Sequence, residues 1–411
     1  MECYGHKMSL RRSLAPAKPK PSLSTRVLKL IWRNPRMVHT MLREEYRKRF
    51  GIDLDRRFRD GMSGPPVSIN LHLTRRCNLR CVMCEQHRHT PGPTGLSWYD
   101  PHRELPLSAW VDLMDQVAAF RPRLYLTGGE PTLYPHFPAL LTEARRRGFV
   151  VHLQTNGTLL DRMADNLVDA GVEMVTISLD GPSEVHDAIR GQEGAFRKTC
   201  EGIKALAAAR NRRHSPSPII IINCVVSKAS LPTLSQMVPL AHELGADILQ
   251  IQHTIFNTPA NIQRHNLALS PEFAARAQLD LAPPSIPEGE YYESKIAPAD
   301  LPGLLDQFQE ARLLAKNRLK LLFLPNLPPH LLGPYYLDLT HPFPQECKSP
   351  WKVCRILPDG TVSPCLHLVA GNIATQPFME IWNGPRMRRL RQIISRRLFP
   401  GCVRCCSRSF T

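Results

Sequence analysis

From Val67 onward the chain alternates short apolar strands with helices, and this alternation limits the possible folds more than any other feature. Val67, Ile69, Leu71 and Leu73 are apolar at every second position, which indicates a strand. Further strand patterns follow at 123–126, 149–153, 172–177, 219–226 and 247–252. Helix patterns separate them at 107–120, 136–147, 159–169, 195–209 and 231–244. Such alternation gives a parallel sheet, so we predict an α/β protein in which residues 65–256 form a partial (β/α)6 TIM-like barrel.

Polar motifs directly follow three of the predicted strands. They are Gly128-Gly129-Glu130, Thr155-Asn156-Gly157 and Ser178-Leu179-Asp180-Gly181. Active sites of α/β barrels lie at the carboxyl ends of the strands, so we expect these motifs to meet at one edge of the sheet. Asn223, Gln250 and Gln252 lie on or near the last two strands and are further candidates for the pocket. The alternative is that Asn, Ser and Asp occur here as ordinary turn residues.

A loop with three cysteines follows the first strand, with Cys77, Cys81 and Cys84 inside eight residues. Three thiolates at this spacing can hold three irons of a 4Fe–4S cluster and leave the fourth iron without a protein ligand. Clusters that only carry electrons usually have four cysteines, so an open iron indicates that a small molecule binds there. A zinc site is the alternative, with His87 or His89 as its fourth ligand.

The C-terminal region, residues 347–411, carries a second set of cysteines. Four of them suffice for one closed 4Fe–4S cluster: Cys347, Cys365, Cys402 and Cys405. Two choices stay open, because Cys354 can replace Cys347 and Cys406 can replace Cys405. A four-cysteine zinc site is the alternative to a cluster. The turn Pro358-Asp359-Gly360 between apolar runs predicts a hairpin. Ordinary thiols are expected at Cys3, Cys200 and Cys224.

The formal net charge of +17 is concentrated at the two ends of the chain. Residues 1–62 carry a net +10 and residues 347–411 a net +9, so the middle is nearly neutral. Basic ends can meet nucleic acid, an anionic membrane or an acidic protein, or they can simply aid solubility. Proteins that read RNA usually interleave aromatic with basic residues. The basic ends hold few aromatics, so a nucleic-acid partner is the weakest of these expectations.

The residues before the barrel divide into a disordered basic tail, 1–22, and a helical extension, 23–64. The extension predicts a helix near 24–33 and a second one that starts at Asn34 and Pro35. The apolar positions of the second helix are Val38, Met41, Leu42 and Tyr46. A basic amphipathic helix can lie on a membrane surface, here through residues 24–50, or pack on the barrel.

The sequence shows no apolar stretch long enough to span a bilayer and no secretory signal. Cysteine pairs without a signal peptide indicate metal ligation in a reducing compartment. We therefore expect a cytoplasmic protein, which would lie at the inner face of the membrane if its N-terminal helices bind lipid. Residues 257–346 are less regular and are predicted to bridge the barrel and the C-terminal region.

The cysteine loop and the strand-end motifs together resemble those of the radical S-adenosylmethionine (radical SAM) superfamily, and the resemblance spans about residues 65–411. It implies that S-adenosylmethionine binds the open iron through its amino and carboxylate groups. It further implies contacts to the methionine part and the ribose from residues of the strand-end motifs. The amino group would be bound by Gly128, Gly129 and Glu130. The ribose or the carboxylate would be bound by Ser178 and Asp180, and the carboxylate also by Arg190. The motif between these two contributes Thr155 and Asn156.

The C-terminal cysteines resemble the auxiliary-cluster extensions called SPASM and twitch, and a four-cysteine set fits the shorter twitch form better. The resemblance implies an enzyme that takes an electron from a donor such as flavodoxin or ferredoxin. The reduced cluster then cleaves S-adenosylmethionine, and a 5′-deoxyadenosyl radical abstracts hydrogen from an unactivated carbon. A peptide, protein or lipid is the expected substrate; another small molecule or RNA is the alternative. The non-enzymatic alternative is a zinc-stabilised scaffold with basic arms.

Overall fold

The computed structural model describes residues 35–84, 103–281, 292–316, 318–344, 346–365 and 368–405. The predicted basic tail and the predicted helix near 24–33 lie outside these residues. So do four side chains that the sequence singled out, namely Cys3, His87, His89 and Cys406.

The six predicted strands are present and form a parallel sheet in sequence order. They are β1 Ser68–His72, β2 Arg123–Thr127, β3 Val151–Thr155, β4 Met174–Ser178, β5 Ile219–Val225 and β6 Ile248–Gln252. Each strand pairs in parallel with the next one along the chain. The carboxyl ends of all six strands therefore lie at one edge of the sheet, which confirms the partial barrel.

Four strands from outside the predicted barrel lengthen this sheet to ten strands. The remaining strands are β7 Asp280–Leu281, β8 Lys320–Leu324, β9 Val353–Ile356, β10 Thr361–Ser363, β11 Leu368–Val369 and β12 Gly371–Asn372. β8 pairs in parallel with β6, and β9 pairs in parallel with β1. β9 and β10 form the predicted hairpin around Asp359. The sheet thus crosses the predicted boundaries after residues 256 and 346, and the division into domains stays a prediction.

Helices follow most strands and cover one face of the sheet. Those of the barrel are α3 Leu107–Gln116, α4 Phe137–Arg146, α5 Leu160–Asp169, α6 Ser183–Arg190, α7 Ala195–Arg212 and α8 Met237–Glu243. The helix predicted at 231–244 is shorter than expected, because a 3-10 turn at Leu231–Thr233 precedes α8. Pro239 lacks an N–H, so α8 starts where this proline falls in its first turn.

The two faces of the barrel sheet differ in polarity. On β2, Leu124 and Leu126 are fully buried in the main core, whereas the alternating Tyr125 is only half-buried. β3 and β6 show the same alternation. Successive side chains of a strand point to opposite faces, so one face packs under the helices. We call the other, partly exposed face the lumen face.

The N-terminal extension is almost continuously helical, with α1 Pro35–Tyr46, a π-helical turn Arg47–Gly51 and α2 Ile52–Phe58. Packing of its predicted apolar face on the barrel is not found, because Met41, Leu42 and Tyr46 are all exposed. The extension docks instead through Met37, which packs against Val150, and through an ion pair between Glu44 and Arg123. The hydrophobic pattern predicted the helix correctly, but the apolar side chains that it picked out at Met41, Leu42 and Tyr46 lie on the exposed face.

The C-terminal region adds α13 Ser349–Lys352, α14 Phe378–Trp382 and α15 Pro385–Arg396. The bridging segment contains α9 Pro259–Ala268, α10 Pro271–Arg276, α11 Leu301–Ala315 and α12 Leu332–Leu337. Buried Arg391 of α15 donates to the carbonyls of Pro350 (2.9 Å) and Gly61 (3.0 Å) and so joins the extension to this region. Within the described ranges, no helix is long and apolar enough to cross a membrane.

Candidate active site

The three-cysteine loop leaves β1 at the carboxyl edge of the sheet, and its cysteines are partly buried. The backbone N–H of Leu79 donates to Sγ of Cys77 over 3.5 Å, and that of Cys84 donates to the carbonyl of Cys81 over 3.1 Å. Burial raises the pKa of Cys77. A buried thiol of this kind becomes a thiolate when it binds a metal, and bound iron would balance that negative charge.

Gly128 and Gly129 bring the end of β2 against the chain that leads into this loop. The N–H of Gly129 donates to the carbonyl of Thr74, and the N–H of Glu130 donates to that of Arg76, both over 2.7 Å. A Cβ atom on Gly128 would lie 2.4 Å from the Thr74 oxygen, and one on Gly129 would lie 2.3 Å from the Arg76 oxygen. The two glycines therefore allow the end of β2 to lie directly against the backbone that precedes Cys77.

The carboxylate of Glu130 is engaged within the protein. It accepts hydrogen bonds from the hydroxyl of Thr155 and the N–H of Asn156, both at 2.8 Å, and from Thr132. Burial raises the pKa of Glu130, and these donors oppose the rise. The side chain thus ties the ends of β2 and β3 together, and contact with a methionine ammonium stays a prediction.

Asn78, a residue that the motif analysis passed over, connects the cysteine loop to the end of β3. Its side-chain oxygen accepts from Nδ2 of Asn156 over 2.8 Å, and its amide donates to the hydroxyl of Thr158 over 2.8 Å. The available signal was its place between Cys77 and Cys81. Asn156 therefore lies beside the loop, as its position after β3 predicted.

Ser178, Asp180 and Arg190 occupy different environments. Ser178 is half-buried at the end of β4 and accepts from Nε2 of Gln154 over 3.2 Å. Asp180 is fully buried and lies 2.5 Å from the guanidinium of Arg190. Ser178 thus faces the lumen, whereas Asp180 and Arg190 pair beneath the cysteine loop.

Polar side chains dominate the lumen face near the carboxyl ends. The hydroxyl of Tyr125 donates to Gln154 over 2.7 Å, and the amide of Gln250 donates to Asn223 over 2.6 Å. These pairs cross from β2 to β3 and from β5 to β6. Asn223 and Gln250 therefore lie on the lumen face, where the sequence predicted a pocket. The lumen beside the cysteine loop is therefore lined by hydroxyl and amide groups.

The four predicted auxiliary cysteines are neighbours in the structure, although no three ligand side chains of the described residues are placed to hold a single metal ion. Cys347, Cys365 and Cys402 pack on one apolar cluster that also contains Trp351. The pKa of Cys365 is raised well above its usual value, first by burial and then by its neighbours Cys402, Cys347 and Cys405. Four thiols that share such a site suit an iron–sulfur cluster, which takes them as thiolates.

The other cysteines lie elsewhere. Cys354 is buried on β9 in the core of the barrel, together with Cys224 of β5, and burial raises the pKa of both thiols. Cys200 is partly buried on α7. Cys347 is therefore better placed than Cys354 to be a ligand of the auxiliary site.

Arg404, between Cys402 and Cys405, is a further residue that the motif analysis missed. Its buried guanidinium donates to the carbonyls of Tyr335 (2.5 Å), Pro334 (2.9 Å) and Asp338 (2.8 Å). It also lies 4.9 Å from the ring centre of Tyr335. The arginine therefore anchors the last cysteine pair to α12 of the bridging segment.

A parallel partial barrel with a three-cysteine loop at its carboxyl edge and a separate group of four cysteines has the parts expected of an iron–sulfur enzyme with an open iron. The model of the radical SAM superfamily matches residues 71–223, and the SPASM model, an iron–sulfur cluster-binding domain, matches residues 347–406. The chain belongs to the radical SAM superfamily and carries a SPASM domain. It is an enzyme whose cofactors are a 4Fe–4S cluster, S-adenosylmethionine and auxiliary iron–sulfur clusters.

Relatives support this assignment over most of the chain. An AdoMet-dependent heme synthase of Methanosarcina barkeri is 31% identical over 80% of this chain and 86% of its own length. A PqqA peptide cyclase of Ruegeria pomeroyi is 29% identical over 77% of this chain and 74% of its own length. Streptococcus suis SuiB bound to precursor peptide SuiA has the same fold, with a TM-score of 0.58 and 14% identity over 82% of this chain and 69% of SuiB.

Proposed function

We propose that the protein abstracts a hydrogen atom from an unactivated carbon of a peptide or protein that binds in the lumen beside Cys77, Cys81 and Cys84. With S-adenosylmethionine bound, the reduced cluster supplies a 5′-deoxyadenosyl radical as the oxidant. The residues of this chain would hold the loop, orient the two ligands and exclude water. Gly128 and Gly129 position the loop, and Asn78 and Asn156 join it to β3.

The polar lumen face is the observation that carries the peptide proposal. Tyr125, Gln154, Asn223 and Gln250 offer hydroxyl and amide groups that match the N–H and C=O groups of a peptide backbone. These groups already pair with one another, but a hydrocarbon chain in the same place would remove water from them without offering a hydrogen bond, which is unfavourable. The PqqA peptide cyclase and peptide-bound SuiB are consistent with this choice.

A heme precursor is the second candidate substrate, favoured by the AdoMet-dependent heme synthase that matches 80% of this chain. The lumen face includes Arg355 of β9, which lies opposite Asn70 of β1 in the sheet. A cation at this place suits an acidic substituent. The two candidates differ in size and charge, so one experiment can separate them.

The experiment measures 5′-deoxyadenosine made by anaerobically reconstituted enzyme with a strong reductant. Cell extract is added in aqueous and lipid fractions, and the aqueous fraction is also tested after protease treatment. A protease-sensitive stimulation supports the peptide proposal. Stimulation that survives protease contradicts it, and a response to added iron porphyrin would favour the second candidate. Stimulation by the lipid fraction alone would favour a lipid substrate.

An exposed apolar stripe on the N-terminal helices supports a separate proposal, peripheral contact with an anionic membrane. The stripe consists of Leu42, Tyr46, Phe50, Leu54 and Phe58, at intervals of four residues and each more than half exposed. Exposed Arg49 and Arg57 lie between these residues in the sequence. Apolar side chains flanked by cations fit the interface of an anionic bilayer.

Vesicle sedimentation tests the membrane proposal. Vesicles that contain anionic phosphatidylserine should retain the enzyme more strongly than neutral ones, and a Phe50→Ser/Phe58→Ser double variant should lose that retention. The matched control is Leu313→Ser, which changes an exposed leucine of α11 far along the chain from the stripe. Equal retention of the double variant and the control would contradict the proposal.

Reduction of the first cluster requires an electron donor, and we propose a small carrier protein such as flavodoxin or ferredoxin in the cytoplasm. The C-terminal region has a net charge of +9, which suits docking of an acidic protein. Such docking is steered by charge, so cleavage that depends on a carrier should slow as salt rises. Cleavage driven by a chemical reductant should respond much less.

A further inference from the structure

Asp180 and Arg190 form a buried ion pair that reaches one of the cluster cysteines. Nη2 of Arg190 lies 2.5 Å from Oδ2 of Asp180. Nη1 of the same guanidinium donates to Sγ of Cys81 over 3.6 Å. We propose that this pair positions Cys81 and sets the reduction potential of the first cluster, and that neither residue serves mainly to bind S-adenosylmethionine. The proposal rests on Cys81 as a cluster ligand.

The backbone around Arg190 holds the same loop. The N–H of Arg80 donates to the carbonyl of Arg190 over 3.1 Å, and the N–H of Val82 donates to that of Ile189 over 2.9 Å. Gly191 follows with a φ of 66°, and a Cβ atom there would lie 2.4 Å from the carbonyl oxygen of Arg80. The carboxyl end of α6 thus holds the backbone on both sides of Cys81, and the Arg190 side chain contacts its sulfur.

Asp180 is held firmly at the other side of the pair. Its Oδ1 accepts from the N–H of Val225 over 2.9 Å, and its own N–H donates to Nδ1 of His186 over 3.2 Å. Burial lowers the pKa of His186 to about 4, so this imidazole stays neutral. Arginine keeps its proton in proteins, and the carboxylate of Asp180 stabilises the charge of Arg190. The guanidinium therefore remains charged beside the sulfur.

A charged donor on a ligating sulfur changes the energy of cluster reduction. Hydrogen bonds to the sulfurs and local charge set the potential of iron–sulfur clusters. Reduction adds one negative charge to the cluster, so the Arg190 N–H stabilises the reduced form and raises the potential. The Asp180 carboxylate acts in the opposite direction by its charge. A pair that is neutral as a whole can therefore be changed in either direction by replacing one member.

The experiment is a redox titration of the holoenzyme without S-adenosylmethionine, followed by electron paramagnetic resonance. The signal of the first cluster is identified as the one that changes when S-adenosylmethionine is added. Arg190→Gln should lower its midpoint potential, and Asp180→Asn should raise it. Arg190→Lys, which keeps the charge but not the planar fork, should fall between Arg190→Gln and the wild type. Opposite shifts cannot arise from a general loss of structure.

Arg210→Gln is the matched control, because Arg210 and Asp247 form an equally buried pair at the other end of the strands. Their side-chain atoms lie 2.5 Å apart, and each side chain is at most 4% exposed. This variant should lose stability and keep the potential of the first cluster. Shifts of the same sign in Arg190→Gln and Asp180→Asn, or a shift in Arg210→Gln, would overturn the proposal.

A role of Arg190 in binding S-adenosylmethionine gives a different result. Arg190→Gln would then weaken binding of that cofactor in the spectroscopic titration and leave the potential unchanged, which also overturns the proposal. Failure of the ligand assignment is distinguishable, since a signal sensitive to S-adenosylmethionine would then persist in Cys81→Ala. If Arg190→Gln does not retain iron, the opposing shifts of Arg190→Lys and Asp180→Asn decide the question.

Discussion

The two cysteine sites of this protein are built in opposite ways. The first uses one short loop, Cys77 to Cys84, which neighbouring strand ends hold through its backbone and Asn78. The second gathers cysteines from positions as far apart as 347 and 405, and a buried arginine anchors its last pair. A local loop can leave one iron open to a cofactor. A site assembled from distant segments makes the fold of the whole region depend on it.

The largest expected effect breaks the first site alone. Cys81→Ala should abolish cleavage of S-adenosylmethionine, because the open cluster loses one of three ligands, while the auxiliary site keeps its iron. The measurements are 5′-deoxyadenosine by chromatography and iron per protein. Cys200→Ala, a change of a partly buried thiol on α7, is the control and should retain both. Retained cleavage in Cys81→Ala would contradict the role of the loop.

A second pair of variants tests which cysteine completes the auxiliary site. Cys347→Ala should lose the iron of the second site, whereas Cys354→Ala should keep it, because Cys354 lies in the barrel core. Cys354→Ala removes only a small buried group and should cost about 1 kcal/mol of stability. Iron content and the spectrum of the auxiliary cluster distinguish the two. The reverse result would move the ligand role to Cys354.

A smaller effect is expected at the anchor of the second site. Arg404→Lys removes the planar fork that reaches three carbonyls, so the loop of Cys402 and Cys405 should loosen. Supporting residues of this kind typically change metal affinity about 10–100-fold. A chelator competition should show faster loss of auxiliary iron and an unchanged first cluster. Arg397→Lys, at an exposed arginine, is the control and should behave like the wild type.

The smallest effect concerns pH and separates the barrel from the C-terminal region. Burial lowers the pKa of His186 to about 4 and that of His253 to about 3, whereas an unfolded histidine titrates near 6.5. Their contribution to stability is therefore complete above about pH 6.5 and falls as pH drops toward the folded values. Between pH 7 and pH 5, each should cost about 1–2 kcal/mol.

Urea unfolding at these two pH values measures that loss. His253→Gln, which can keep a hydrogen bond to Tyr336, should show a shallower decline than the wild type. The described residues from 346 onward contain no histidine, so auxiliary-site spectra should change less over the same range. An equal decline in the variant and the wild type would contradict the assignment to His253.

Periodicity was enough to predict the barrel, because β1 to β6 each bury alternate side chains under helices. It was not enough to place β8 and β9. β8 starts 72 residues after its partner β6, and β9 starts 285 residues after its partner β1. Such pairing depends on where distant edges meet, and short apolar runs carry no record of their partner. A similar limit applies to α1, whose amphipathic pattern did not show that Met41, Leu42 and Tyr46 face outward while Met37 packs on the barrel.

The candidate site shows a similar division. The residue types at the strand ends identified the neighbourhood, since all of the predicted motifs lie at the carboxyl edge. Roles within it depended on side-chain partners that a linear motif does not contain. Glu130 is occupied by Thr155 and Asn156, and Arg190 by Asp180 and Cys81. Asn78 and Arg404 lie between ligand cysteines, and their roles depend on partners in distant segments that the cysteine spacing does not show.

The pairing of β9 with β1 has a consequence for how the protein is made. On a ribosome, β1 and the loop that follows it emerge early, but the strand that closes their open side is about 280 residues further on. At typical rates of synthesis that interval lasts roughly 15–60 s. During this time Cys77, Cys81 and Cys84 adjoin an unpaired sheet edge. The three cysteines of the first site are therefore synthesised, next to that edge in sequence, long before the strand that pairs with it.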